Sequence, residues 1–460
     1  MRKGKYIGLL AIAAAFLLAG CSGSVETGPV PTITPRPTVT PAPTPTPVVV
    51  VETPDEEKKE ESVYDTKKFK EYYEKENELP QLKVVYQDNF EFGLDVLQID
   101  ITDEKRKALV TSQFGAIGVK EDLSPKVVMN YEATRASGDL TKIALDFSGA
   151  DVILKFAQEN KLPVHGPTLI TSETPEWVFT KSFDEAQVTD GVDESGLPAK
   201  VIDYADATVM TARMENYIKD VIEYCNTNYP ELIVSWQVLE LPTDVNAKNP
   251  NKYAENNWYK AVGEEYIVKA FETARACATS EQKLFFAQNG MEVATNLNVA
   301  LALVDVLQEK SLLDGIGIQA HYTSNGPSRY GMDDMLKAMH EKGLEIYYTE
   351  FYVDSNDGSD SDAEKTPEER FERCVKRYRA LMTYLVNYDV KNSYNIVRIT
   401  FDGLTNDTAG VNQPKEYLDS KTGETVFGVK AESFPYFFDA ELNVLDTFFA
   451  ALGDVSIKAY

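Results

Sequence analysis

Glu345-Ile346-Tyr347-Tyr348-Thr349-Glu350-Phe351-Tyr352-Val353 has an apolar, aromatic middle and a carboxylate near its end. Aromatic and β-branched side chains suit a pleated, buried surface, so the stretch reads as a core strand. Gly315-Ile316-Gly317-Ile318-Gln319-Ala320-His321-Tyr322 is a second such strand that also ends in polar groups. Met332, Met335, Leu336 and Met339 lie between the two at helical spacing, followed by Gly343. This predicts an amphipathic helix over 333–342 with the glycine as its stop. Strand, helix and strand in that order make a parallel step of an α/β sheet or barrel. Such folds carry their chemistry at the C-terminal ends of the strands. Glu350 sits at such an end, either as a functional carboxylate or as one that merely faces solvent.

The alternation extends in both directions. Strands are expected over 90–96, 114–118, 164–170, 232–240, 283–287 and 396–401. Helices are expected over 69–76, 103–112, 147–160, 211–224, 259–277, 301–309, 367–387 and 445–452. In the third of these, Val152, Ile153, Phe156 and Ala157 share one face. Strands and helices in strict alternation predict an α/β protein with a closed (β/α)8 TIM barrel.

The chain has 460 residues and a formal net charge of -27. That field repels a phosphate backbone, which excludes nucleic acid as a partner and suits a neutral substrate. Arg2, Lys3 and Lys5 precede an apolar run, Tyr6 to Leu18, too short to span a bilayer comfortably. Leu18-Ala19-Gly20-Cys21 closes it, so 1–21 reads as a signal peptide that resembles a bacterial lipobox, with Cys21 as the lipidated residue. Residues 22–62 follow as a Pro/Thr-rich and then charged linker that cannot bury a core. Its proline-rich part extends at about 3 Å per residue, a stalk of roughly 80 Å. The expected address is the extracellular face of the cell membrane, held by a lipid anchor. Residues 63–460 then hold the barrel, which is expected to be a monomer. Cys225, Cys277 and Cys374 fit no zinc spacing and read as small buried hydrophobes in helices. With only His165, His321 and His340 in the chain, a histidine-rich metal site is not expected, and nothing calls for an organic cofactor.

Several stretches carry a family resemblance. They are Asp146-Phe147-Ser148-Gly149-Ala150-Asp151, His165-Gly166-Pro167-Thr168-Leu169 with Thr174-Pro175-Glu176-Trp177, and Arg213-Met214-Glu215-Asn216-Tyr217-Ile218. Trp258-Tyr259-Lys260 with Gly263-Glu264-Glu265-Tyr266-Ile267 continues the series, and the two strands quoted first complete it. In this order, from about Tyr86 to about Leu452, the chain resembles glycoside hydrolase family 10, the retaining endo-β-1,4-xylanases. The resemblance implies a (β/α)8 barrel and a pair of carboxylates about 5–5.5 Å apart. It makes Glu350 the nucleophile and His321 the residue that orients it. It implies that Gln319, Trp177 and Trp236 contact the sugar, and that no cofactor is needed. The implied substrate is xylan or a related β-linked plant polysaccharide.

The chain also departs from the family pattern. Trp236-Gln237-Val238-Leu239-Glu240-Leu241 stands where the family has Trp-Asp-Val-Val-Asn-Glu, so Leu241 occupies the acid/base position and Glu240 is one residue early. Side chains alternate along a strand, so Glu240 points differently from the family residue unless the strand end bulges, and a carboxylate at a strand end can still reach across to serve. The family's Glu-Asn-x-Met-Lys aligns with Lys120-Glu121-Asp122-Leu123-Ser124, and its Leu-Val-Trp-His with Leu169-Ile170-Thr171-Ser172. The fifth strand's Asn-Asp becomes Ala287-Gln288, and Phe-Trp-Gly becomes Phe401-Asp402-Gly403. The alternative is therefore a non-catalytic relative that binds a glycan or cell-wall component. A two-lobed transport-type binding lipoprotein fits less well, because one continuous barrel pattern runs through the chain.

Overall fold

The computed structural model describes residues 78–192, 198–356, 365–393, 395–418, 425–429 and 432–452. The signal and linker segments, Cys21 and the helix expected over 69–76 lie outside these residues. Eight parallel strands close into a barrel: β1 (Glu91–Asp95), β2 (Ala116–Gly118), β3 (Val164–Ile170), β4 (Ile233–Glu240), β5 (Lys283–Gln288), β6 (Gly315–Thr323), β7 (Glu345–Asp354) and β8 (Ile396–Phe401). They pair in chain order, with β1 against β8 closing the ring. The (β/α)8 expectation holds.

The step quoted first shows how sequence becomes structure. Its helix runs Arg329–Glu341, capped by the Ser328 hydroxyl, which accepts from the Gly331 amide. Met332, Met335, Leu336 and Met339 are all buried against the strands. Gly343 ends the helix at a φ of 68°, a left-handed position that glycine takes without strain. Truncating Leu336 to alanine would cost about 2–5 kcal/mol.

Two expectations about the helical layer need correction. The long helix over 259–277 is two, Asn257–Val262 and Tyr266–Cys277. Gly263 between them has a φ of 93°, which no continuing helix allows. Val152 is 41% exposed, while its expected neighbours Ile153, Phe156 and Ala157 are buried. Of the cysteines, Cys225 and Cys374 are buried but Cys277, at a helix end, is only partly so.

Between the strand floor and the open end, the lumen is plugged by side chains. Phe285 and Tyr347 stack with ring centroids 4.8 Å apart. The His165 ring meets Tyr347 edge-on and bonds Ser235 through Nδ1. Arg398 pairs with Glu91 at the base. This plug forms the floor of a cavity that opens at the C-terminal mouth.

The loop after β3 is held from outside the barrel. Arg213, fully buried on helix Ala207–Asn228, donates to the carbonyls of Leu140, Val178 and Thr180. Its guanidinium also lies 3.8 Å from the Phe183 ring centre.

Candidate active site

All eight strands contribute to a cavity of about 280 Å3 at the C-terminal mouth. Tyr347 and Thr349 of β7 face it, so strict alternation would turn Glu350 outward. The chain breaks the alternation. The register of β7 shifts against β8 between Ile399 and Phe401, and against β6 between Gln319 and His321. Glu350 itself has a φ of 50°, which costs a residue with a side chain roughly 1–2 kcal/mol. The bulge turns both Thr349 and Glu350 into the cavity.

β4 does the same. Its register against β5 shifts between Gln237 and Leu239, and the next residue after the strand, Leu241, has a φ of 44°. Gln237 and Glu240 are three residues apart yet both line the cavity. The bulge that turns Glu240 inward is therefore present.

The two carboxylates share one amide. Gln319 Nε2 donates to Glu240 Oε1 at 2.9 Å and to Glu350 Oε2 at 3.0 Å. Those two oxygens can be no further apart than the sum of these lengths. Glu240 Oε2 accepts from the Thr171 hydroxyl at 2.6 Å. Glu350 Oε2 accepts from His321 Nε2 at 2.8 Å and lies 3.1 Å from Lys120 Nζ. His321 is steadied by the stacked Tyr352 ring at 4.8 Å. Among the described residues nothing hydrogen-bonds to Glu350 Oε1.

Burial alone would push the Glu350 carboxyl up. The His321 hydrogen bond and the Lys120 charge overcome it and hold it down at about 2. Lys120 also lies 2.8 Å from Asp402 Oδ1, whose Oδ2 accepts from the Tyr436 hydroxyl at 3.0 Å. Burial works against the Lys120 charge, but Glu350, Asp402 and Asp95 together raise its affinity for the proton above that of an ordinary lysine. The Asp95 carboxyl lies over Gly118, where an added Cβ would come within 1.8 Å of Oδ1. Burial pushes it up to about 8; the Lys120 charge opposes this, and those of Asp402 and Glu350 add to it.

Of the residues expected at the site, Glu350, His321, Gln319 and Glu240 come together. Trp177 and Trp236 do not. Trp177 is buried between Tyr131 and Phe183, and Trp236 is fully buried against Gly166. Neither indole lines the cavity, so neither offers a face to a sugar. The sequence reading missed Lys120, Asp402, Asp95 and Thr171. Each lies at or directly beyond the end of a barrel strand, and that position was the available signal.

The profile of glycosyl hydrolase family 10 matches residues 81–452. The chain belongs to glycosyl hydrolase family 10. It is 26% identical over 377 residues to endo-1,4-beta-xylanase B of Butyrivibrio fibrisolvens, covering 81% of this chain and 52% of that protein. It thus spans about half the length of that relative. A putative endo-1,4-beta-xylanase of Caldicellulosiruptor saccharolyticus is 30% identical over 296 residues, covering 62% of this chain and 87% of that one. Among solved structures, xylanase XynB from Paenibacillus barcinonensis superposes with a TM-score of 0.64 at 21% identity, covering 82% of this chain and 99% of that chain. That structural likeness carries the fold; the family profile carries the membership. The family is the one its motifs implied.

Proposed function

We propose that this chain is a retaining glycoside hydrolase that cleaves xylan or a related β-linked plant polysaccharide at the cell surface. The observation that carries the reading is the single Gln319 amide shared by Glu240 and Glu350. It brings one oxygen of each carboxylate close together, which supports a retaining pair. Glu350, ionised at neutral pH, attacks the anomeric carbon through Oε1. The glycosidic C–O bond breaks, Glu240 gives its proton to the leaving oxygen, and a glycosyl ester forms on Glu350. Glu240 then takes a proton from water, which attacks the same carbon and releases Glu350. His321 and Gln319 hold Oε2 throughout, so little reorganisation accompanies the reaction. The polysaccharide is suggested by the names of the curated relatives. The surface location rests on the signal-like 1–21, with Cys21 as lipid anchor, and on the proline-rich stalk.

The test is reducing-end release from xylan by residues 62–460, beside Glu350→Ala. Turnover that disappears in the variant is the expected result. Binding without turnover, across xylan and a panel of other β-glycans, would make the barrel a recognition module instead.

A further inference from the structure

We propose that Lys120 is a positioning residue for the nucleophile: a counter-ion carried just beyond β2 and tethered by Asp402 just beyond β8, which fixes Glu350 Oε2 and leaves Oε1 to the sugar. The inference rests on Glu350 being the nucleophile. Three elements meet at one ammonium. Lys120 Nζ lies 3.1 Å from Glu350 Oε2 at the end of β7 and 2.8 Å from Asp402 Oδ1 just beyond β8. Asp402 is itself pinned by the Tyr436 hydroxyl at 3.0 Å, so the tether does not swing freely.

The other two donors to Oε2, from Gln319 and His321, give direction. Lys120 adds a fixed positive charge. The charged and titratable groups around Glu350 are Asp95 from β1, Lys120 just beyond β2, His165 and Glu173 from β3 and the loop after it, Glu240 from β4, His321 from β6, Tyr347 from β7, and Arg398 and Asp402 from β8 and its end. With Glu350 itself, five of the groups here are carboxyls: Asp95, Glu173, Glu240, Glu350 and Asp402. With Lys120 removed, they would face one another across the cavity with Arg398 at the base. Like charges at this range disfavour ionisation of each member. The Lys120 side chain is 47% exposed, so water screens part of its effect. A shift of about one pH unit is the expected scale.

The experiment is a direct titration of the Glu350 carboxyl in the folded protein between about pH 2 and pH 7. Glutamate carboxyls are labelled with 13C, and the Glu350 signal is identified by its loss in Glu350→Gln. Lys120→Met and Lys120→Gln are both expected to raise the Glu350 midpoint by about one unit or more, with Lys120→Arg staying near wild type. A midpoint in either neutral variant within about 0.3 unit of wild type would overturn the proposal. Titration needs no turnover, so an inert protein still returns the answer. Failure to cleave any glycan would count against the hydrolase reading alone.

Discussion

The Glu350 half of the site and the Glu240 half are built by the same device and held differently. Both β7 and β4 bulge at their ends, and both send a glutamate into the cavity that alternation would have sent out. Glu350 then accepts from Gln319 and His321 and faces the Lys120 ammonium, all on one oxygen. Glu240 accepts from Gln319 and Thr171, one on each oxygen. One carboxylate is clamped in its charged form beside a cation. The other is oriented by neutral donors, as a group that must gain and lose a proton requires. On the proposed reading, the difference teaches that the departure at Leu241 moved the donor along the strand without dismantling the pair.

The comparison can be broken from either side. Removing the nucleophile carries the largest effect. Glu350→Ala is expected to lower kcat on xylan by about 10^4-fold or more, measured as reducing ends. A variant that keeps a tenth of wild-type activity would place the nucleophile elsewhere.

The donor half is tested by leaving-group dependence. Glu240→Gln is expected to cost about 10^2–10^4-fold on xylo-oligosaccharides. On aryl glycosides whose leaving group departs without a proton, the same variant should lose far less in glycosylation. Equal losses on both substrates would remove Glu240 from the donor role.

Gln319 touches both halves, so its loss should strike both. Gln319→Leu is expected to lower kcat by about 10^2-fold on either substrate class, with far-UV circular dichroism unchanged. A loss confined to the poor leaving groups would show that the amide serves Glu240 alone.

The smallest effect concerns stability and sits beside the nucleophile. The Asp95 carboxyl is pushed up to about 8 in the folded protein, above the about 3.9 of an unfolded chain. A group raised in this way favours folding below its unfolded value, and that contribution is lost as pH rises through the folded one. Asp95→Asn should therefore raise Tm by about 3 °C at pH 9 and change it little at pH 4. A gain of equal size at both pH values would point to packing rather than charge.

Much of this was legible in the chain. The two strands over 315–322 and 345–353 set the barrel, because their periodicity and terminal polar groups are local properties. Glu350, His321 and Gln319 followed from the same stretches. The position of Glu240 was harder, since a bulge depends on the register of neighbouring strands, which no local pattern encodes. Lys120 and Asp402 were visible only as replacements of family residues. Read one at a time they look like losses; placed across the mouth of the barrel they bind each other. Trp177 and Trp236 erred in the opposite direction. A motif tryptophan at a strand end suggests a sugar platform, but whether its indole faces lumen or helix layer is settled by packing such as that against Gly166.

The most direct test of the paired-carboxylate account is the anomeric configuration of the first product, followed by proton NMR during early hydrolysis of a xylo-oligosaccharide. The account predicts net retention, the β-anomer appearing first and then mutarotating. Initial release of the α-anomer would contradict it, because inversion places a water, not Glu350, on the anomeric carbon.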